Sequence, residues 1–201
     1  PPIDIKEAQP SYVYPSLAGV CQGQNTFCKT LLAESAFGQG KLFLTPLTMN
    51  MVTSAVAADG VLYAPRLGLK LVPHGTNAAS VPNNAPVMVG GGPLFSAQTA
   101  QGVREAMRDD VVFGTVGASG GQWQRVINSS AIIGGKTGTA QVSDAHPNPN
   151  SWFISLAQDD FGGGGKAQLV STIIKENATG GAYESLIAPD IYEFALPLLG
   201  H

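Results

Sequence analysis

The densest chemistry in this sequence lies in Gly134-Gly135-Lys136-Thr137-Gly138-Thr139-Ala140-Gln141, directly after the apolar run Ala131-Ile132-Ile133. The pattern reads as a strand carrying one lysine and two hydroxyls along a line. Alternation in an extended chain places Lys136 and Gly138 on one face and Thr137 and Thr139 on the other. Glycine inside a strand marks close approach by a ligand or another backbone. A cation, hydroxyl donors and bare backbone N–H groups together suit an anionic ligand.

A phosphate-binding loop has a similar composition, and spacing separates the two. That loop requires Gly-x-x-x-x-Gly-Lys-Ser/Thr opening a helix. Counting back from Gly135-Lys136, its first glycine would fall on Ser130. Downstream, Val142-Ser143-Asp144-Ala145-His146-Pro147-Asn148-Pro149 carries two prolines and is a poor helix start. No helix N-terminus is offered to a phosphate. Nucleotide binding is set aside.

The elements that must hold this strand can be read on either side of it. Residues 1–31, rich in Pro, Tyr, Gln and Gly without a sustained period, read as an irregular segment, and 32–201 as helices plus a three-stranded sheet. Gly38-Gln39-Gly40 forms a turn in which Gln39 is expected to be structural. Thr45 suits an N-cap and Pro46 the first helical position. Leu47, Met51, Ala55 and Ala58 make a core stripe with Val52 and Val56 beside it, and Asp59-Gly60 ends the helix. Residues 61–72 read as short extended pieces and 73–93 as a loop. Ser96 caps a second helix to about Asp109 with Ala100, Val103 and Met107 inward; Gly102 within it suggests a close neighbour. After the lysine strand, Ser151–Ala157 and Lys166–Lys175 continue an antiparallel meander, and Ile187–Leu199 reads as a closing helix, started near Pro189 and ended by Pro197. Helices followed by strands give an α+β class, an antiparallel sheet with packed helices.

Composition narrows the function classes. Of 201 residues only 12% are charged and the net charge is −3, which leaves no footprint for nucleic acid and no polybasic membrane patch. No run of ~18 apolar residues suggests a membrane span. Cys21 and Cys28 are the only cysteines. They are a candidate disulfide, worth ~2–3 kcal/mol for so short a loop, with two thiols as the alternative. His74 and His201 have no ligand partners at metal spacing, so neither metal nor cofactor is expected. Asp144 and His146 lie close after the key strand and are expected in a solvated loop.

Lys136-Thr137-Gly138, Ser35-Ala36-Phe37-Gly38-Gln39-Gly40, Thr45-Pro46-Leu47, Ala57-Ala58-Asp59-Gly60, Phe113-Gly114-Thr115 and Trp152-Phe153 together resemble the penicillin-binding transpeptidases, most closely the monofunctional class B type. The resemblance runs from about Leu32 to the C-terminus. It implies the C-terminal part of the β-lactamase/transpeptidase-like fold. The family acylates a serine in Ser-x-x-Lys, aided by Ser-x-Asn, then passes the peptidyl group to an amine. No serine here has a lysine three positions on, and none an asparagine two on. Those motifs are therefore expected before Pro1, making residues 1–201 a C-terminal portion of the domain that is inactive alone.

What the resemblance implies for the site is specific. Lys136 and Thr139 are the expected catalytic contributors, and Thr137, Gly138 and Thr139 the expected substrate contacts. The expected partners are a peptidoglycan stem peptide ending in D-Ala-D-Ala, β-lactams, the missing N-terminal half and membrane proteins of cell-wall synthesis. The expected location is the extracytoplasmic face of the bacterial membrane, anchored by a segment outside this sequence, with a role in division or cell shape. Two alternatives stay open: a non-catalytic peptide-binding or scaffold module, and a serine β-lactamase. The expected strand at 166–175 would also be left with an open edge, inviting another chain to pair.

Overall fold

The computed structural model describes residues 11, 26–40, 42–66, 86–141, 148–158, 167–178 and 182–199. Cys21, Asp144, His146, His74 and His201 lie outside them.

Three strands form one antiparallel sheet in the order β1 (Ile133–Ala140), β2 (Asn150–Gln158) and β3 (Ala167–Lys175). The meander expected from alternation is present, with Lys136 opposite Ile154, Gly138 opposite Trp152 and Thr139 opposite Ser151. Helix α1 spans Thr26–Ala36 and α2 spans Pro46–Ala57. α3 is Ala97–Val112, and the short α4 (Thr115–Ala118) and α5 (Gln124–Ile127) follow it. A 3-10 turn at Tyr183–Ile187 leads into α6 (Ala188–Ala195), and a second at Leu196–Leu199 ends the described chain.

α1 corrects the sequence reading, because it begins inside the segment taken as irregular. Leu, Ala, Glu and Lys within it are good helix formers, and the Pro- and Gly-rich residues before it masked them. The closing helix starts beside Pro189 and stops at Ala195, just before the Pro197 expected to end it, which has no N–H to continue the ladder; from Leu196 the chain tightens to 3-10 geometry.

Local signals explain where α2 and α3 start. Thr45 is extended (φ −76°, ψ 154°) and its hydroxyl accepts from the Thr48 N–H at 3.2 Å. Ser96 does the same for Thr99 at 3.1 Å. α2 ends through Asp59 (φ 53°) and Gly60 (φ 89°). A Cβ on Gly60 would stand 2.0 Å from the Phe95 carbonyl oxygen, so only glycine fits. On α2, Met51, Ala55 and Val56 are buried as expected, but Val52 is exposed and Thr53 is buried in its stead, its hydroxyl satisfied by the Met49 carbonyl at 3.0 Å. On α3, Arg104 rather than Val103 turns inward, donating to the Val56 carbonyl at 2.7 Å and pairing with Asp59 at 2.9 Å. Gly102 is exposed with nothing within 4 Å of a built Cβ among the described residues, so no described neighbour accounts for it.

The sheet carries a core on each face. Ile133, Phe153 and Ala157 pack with Val111, Val116, Val126 and Tyr192 on one side. Leu156 packs with Val56 and Met107 on the other. β2 is thus buried between helical layers. Tyr192 closes a hydroxyl ring with Ser155 (2.9 Å) and Ser171 (3.0 Å), themselves 2.8 Å apart, and buried Ser151 donates to buried Glu184. Among the described residues, β3 pairs only with β2 and its other edge has no strand.

Candidate active site

β1 divides in two along its length. Ile133, Gly134 and Gly135 are buried, whereas the run from Lys136 onward is exposed or half-buried. Gly135 is fixed by packing, since a Cβ there would lie 2.3 Å from Phe153 Cζ. At Gly138 the same test gives an ordinary 3.4 Å to Trp152 Cβ. The first half anchors the strand in the core, and the second borders a cleft.

That cleft has a volume of about 410 Å³ and is lined by Lys136, Thr137, Gly138 and Thr139, with Gln39 from the Gly-Gln-Gly turn and Trp152 from β2. Register confirms the alternation: Lys136 and Gly138 share the face of Ile154 and Trp152, while Thr137 and Thr139 share that of Phe153 and Ser151. Both sets reach the cleft because it runs along the outer edge of β1. The Lys136 ammonium donates to the Thr137 carbonyl at 3.1 Å and lies 3.4 Å from the Thr137 hydroxyl. It also stands 3.6 Å from Asp110 Oδ1 on α3; Lys136 is 56% exposed and Asp110 only 17%. The cation is tethered at its base and open to an incoming carboxylate.

Hydrogen-bond parity defines what the outer edge offers. Gln158 N–H donates to Ile132 C=O, so even-numbered residues of β1 turn their backbone groups toward β2 and odd-numbered ones turn outward. The outward set includes Thr137 and Thr139. Three outward carbonyls are capped by side chains. Arg108 donates to Ile133 O at 2.8 Å, Lys136 to Thr137 O, and Gln39 Nε2 to Thr139 O at 3.0 Å. Burial holds the Arg108 guanidinium below its ordinary pKa.

All four site residues expected from the sequence, Lys136, Thr137, Gly138 and Thr139, come together here. Trp152 forms the cleft wall, its Nε1 buried with no hydrogen-bond partner among the described residues. Sequence reasoning missed two groups. Gln39 touches the key strand across 100 positions. Asp110 reaches Lys136 from the last turn of α3; its one signal is Gly114, where a Cβ would sit 2.5 Å from Asp110 Oδ1. Cys28 is buried on α1, while Cys21, the other half of the candidate disulfide, is outside the described residues. No group of three metal-ligating side chains stands together, and no helix is long and apolar enough to cross a membrane, among the described residues.

A family model described as the penicillin binding protein transpeptidase domain matches residues 16–193. The chain belongs to that family. No curated protein matches the sequence. Among solved structures, penicillin-binding protein 2B from Streptococcus pneumoniae strain R6 is similar with a TM-score of 0.67 and 19% identity, over 98% of this chain and 30% of that one. Penicillin-binding protein A from M. tuberculosis, solved as an imipenem acyl-enzyme complex, gives 0.64 and 22%, over 83% of this chain and 34% of that one. The D,D-transpeptidase domain of a peptidoglycan glycosyltransferase from Eggerthella lenta gives 0.60 and 25%, over 81% and 35%. The chain thus spans about a third of the length of these relatives. It has the helices and antiparallel sheet of the β-lactamase/transpeptidase-like fold.

Proposed function

We propose that this chain supplies the substrate-binding half of a peptidoglycan D,D-transpeptidase active site. The cleft along the outer edge of β1 carries this reading, because it sets an exposed lysine beside two threonine hydroxyls and an outward backbone N–H. Lys136 would attract the terminal carboxylate of a stem peptide ending in D-Ala-D-Ala, and Thr137 and Thr139 would hydrogen-bond it. Such charge-assisted bonds are the stronger kind. Gly138 leaves room for the peptide, or a β-lactam in its place, to lie against the strand.

The serine nucleophile would come from a segment that this sequence does not contain. Its Oγ attacks the carbonyl carbon of the penultimate D-Ala, and the bond to the last D-Ala breaks, that residue leaving as the amine. An amine of a neighbouring stem peptide then displaces the serine from the ester. This chain would hold the terminal carboxylate until that D-Ala leaves, and orient the peptide through both steps. The outward N–H of Thr139 would serve as one oxyanion donor, a contact whose removal typically costs ~10²–10³ in rate. On this reading the chain alone binds and does not turn over. The bare edge of β3 would be covered by the remainder of the domain. The protein would act on the extracytoplasmic face of the membrane beside other cell-wall synthesis proteins.

Labelling host membranes with fluorescent penicillin, then capturing with an antibody against this chain, tests the proposal. A covalently labelled band well above 20.7 kDa supports it. An unlabelled band near 20.7 kDa would replace it with a non-catalytic peptide-binding module.

A further inference from the structure

An unpaired strand edge is a template for pairing, and proteins blunt such edges with side chains. Besides Lys136, which caps Thr137 O from the strand itself, side chains from two distant elements blunt the outer edge of β1. Arg108, half-buried on α3, closes Ile133 O at 2.8 Å and also reaches Ile127 O at 3.4 Å, so it is fixed. Gln39 closes Thr139 O at 3.0 Å from an exposed turn. That turn is flanked by Gly38 (φ 82°) and Gly40 (φ 73°). A Cβ on Gly38 would meet nothing within 4 Å among the described residues, whereas one on Gly40 would stand 2.7 Å from Glu34 Oε2, so any room beside the turn is on the Gly38 side. The permanent cap lies over the anchored half of the strand and the exposed one over the cleft half.

We propose that Gln39 is an exchangeable cap of the Thr139 carbonyl, displaced by a backbone N–H of the peptide that adds to the edge of β1. This rests on the reading of the Lys136–Thr139 edge as the peptide site. An extended peptide pairs with a strand through both N–H and C=O of alternate residues. Thr139 is one such residue, and its acceptor is already taken. An incoming amide therefore exchanges one hydrogen bond for another, and the cleft favours ligands that bring a donor to this point. A ligand without one either leaves Gln39 in its path or strands the carbonyl. Gln39 is accordingly a specificity-determining residue, although it lies far from the strand in sequence.

The test is an NMR titration of the full 201-residue chain with Nα,Nε-diacetyl-Lys-D-Ala-D-Ala, following the Thr139 carbonyl carbon and the Gln39 side-chain amide. The expected result is a saturable shift at Thr139, movement of the Gln39 amide toward its solvated position, and about five-fold tighter binding to Gln39→Ala, roughly the factor carried by one ordinary hydrogen bond. If Gln39→Ala does not fold, Gln39→Asn, one methylene too short to reach, is expected to show the same gain. A saturable shift at Thr139 with an unmoved Gln39 amide, or with no gain in the variants, overturns the cap alone. No shift at Thr139 in any form overturns both the cap and the peptide-site reading beneath it.

Discussion

The hydroxyl of Tyr192 gives a prediction whose sign reverses with pH. Tyr192 on α6 is fully buried, and its hydroxyl lies 2.9 Å from Ser155 Oγ and 3.0 Å from Ser171 Oγ. Tyr192→Phe removes both contacts, yet the serines keep each other at 2.8 Å, so neither is orphaned. The cost at neutral pH therefore falls toward the low end of the ~1–3 kcal/mol expected for disturbing buried polar groups, about 1.5 kcal/mol. In the folded chain burial raises the phenol from 10.0 to about 12, outweighing the two serine hydrogen bonds. The unfolded chain then loses its proton first. Stability from this group is whole below pH ~10 and is lost as pH rises through the folded value, a total of about 2.7 kcal/mol for two units. Half of that is gone near pH ~11. The variant has no such proton to lose. It is therefore less stable than wild type at pH ~7, equal near pH ~11 and more stable beyond, all other groups being common to both. Urea denaturation midpoints of both proteins between neutral and strongly alkaline pH measure this directly. Curves that run parallel throughout would refute the buried, neutral phenol.

Three further outcomes follow from the same geometry. Gly135→Ala drives a Cβ to within 2.3 Å of the Phe153 ring, so calorimetry should show a loss of about 1–3 kcal/mol, whereas Gly138→Ala, with 3.4 Å of room, should cost far less stability yet weaken peptide binding. Lys136→Ala should weaken a peptide ending in a free carboxylate by about 10–100-fold, the range of a hydrogen bond to a charged group, and its carboxamide analogue much less; equal losses for both would remove the lysine from carboxylate recognition. The Arg125 guanidinium, by hydrogen bond, holds the Asp190 carboxyl below its ordinary value, so the stability it lends is present above the unfolded pKa and lost as pH falls through the folded one. Asp190→Asn should accordingly lower the melting temperature slightly near neutrality, as expected for an exposed pair, and converge with wild type as pH falls through the folded pKa.

The parts of this fold legible in the sequence are those governed by neighbours in the chain. Thr45-Pro46, Asp59-Gly60 and Ser96 each act within one helical turn, and the caps stand where they are expected. Alternation along Ser151–Ala157 placed Phe153 and Trp152 on opposite faces, because β2 is regular until the shift at Ala157/Gln158. The misses share a different cause. Arg104 turns inward because Val56 O and Asp59 wait on another helix. α4 rests on a Gly117 so close to Val112 that a Cβ would stand 2.0 Å from its carbonyl oxygen, a contact no propensity encodes. Gln39 and Asp110 join the site through distances in space, from turns whose local sequence has its own structural reason to exist.

The division of β1 explains why these distant residues converge. A functional site held by a strand is positioned more sharply than one on a loop, provided the strand itself cannot slide. Gly135 helps fix the register, because it admits the Phe153 ring and a slip of two residues, which keeps the same face inward, would put Ile133 or Thr137 there. Arg108 then ties the start of the strand to α3, and the last turn of α3 brings Asp110 beside Lys136 at the point where burial ends. One helix thereby both clamps the anchored half and supplies the counter-charge at the boundary. Beyond that boundary Lys136, Thr137 and Thr139 face the cleft on a backbone whose position is set by the core behind them. Loosening Arg108 or filling Gly135 should therefore displace the lysine and both threonines together, while changes at Gln39 should alter what the edge accepts and leave the edge itself in place.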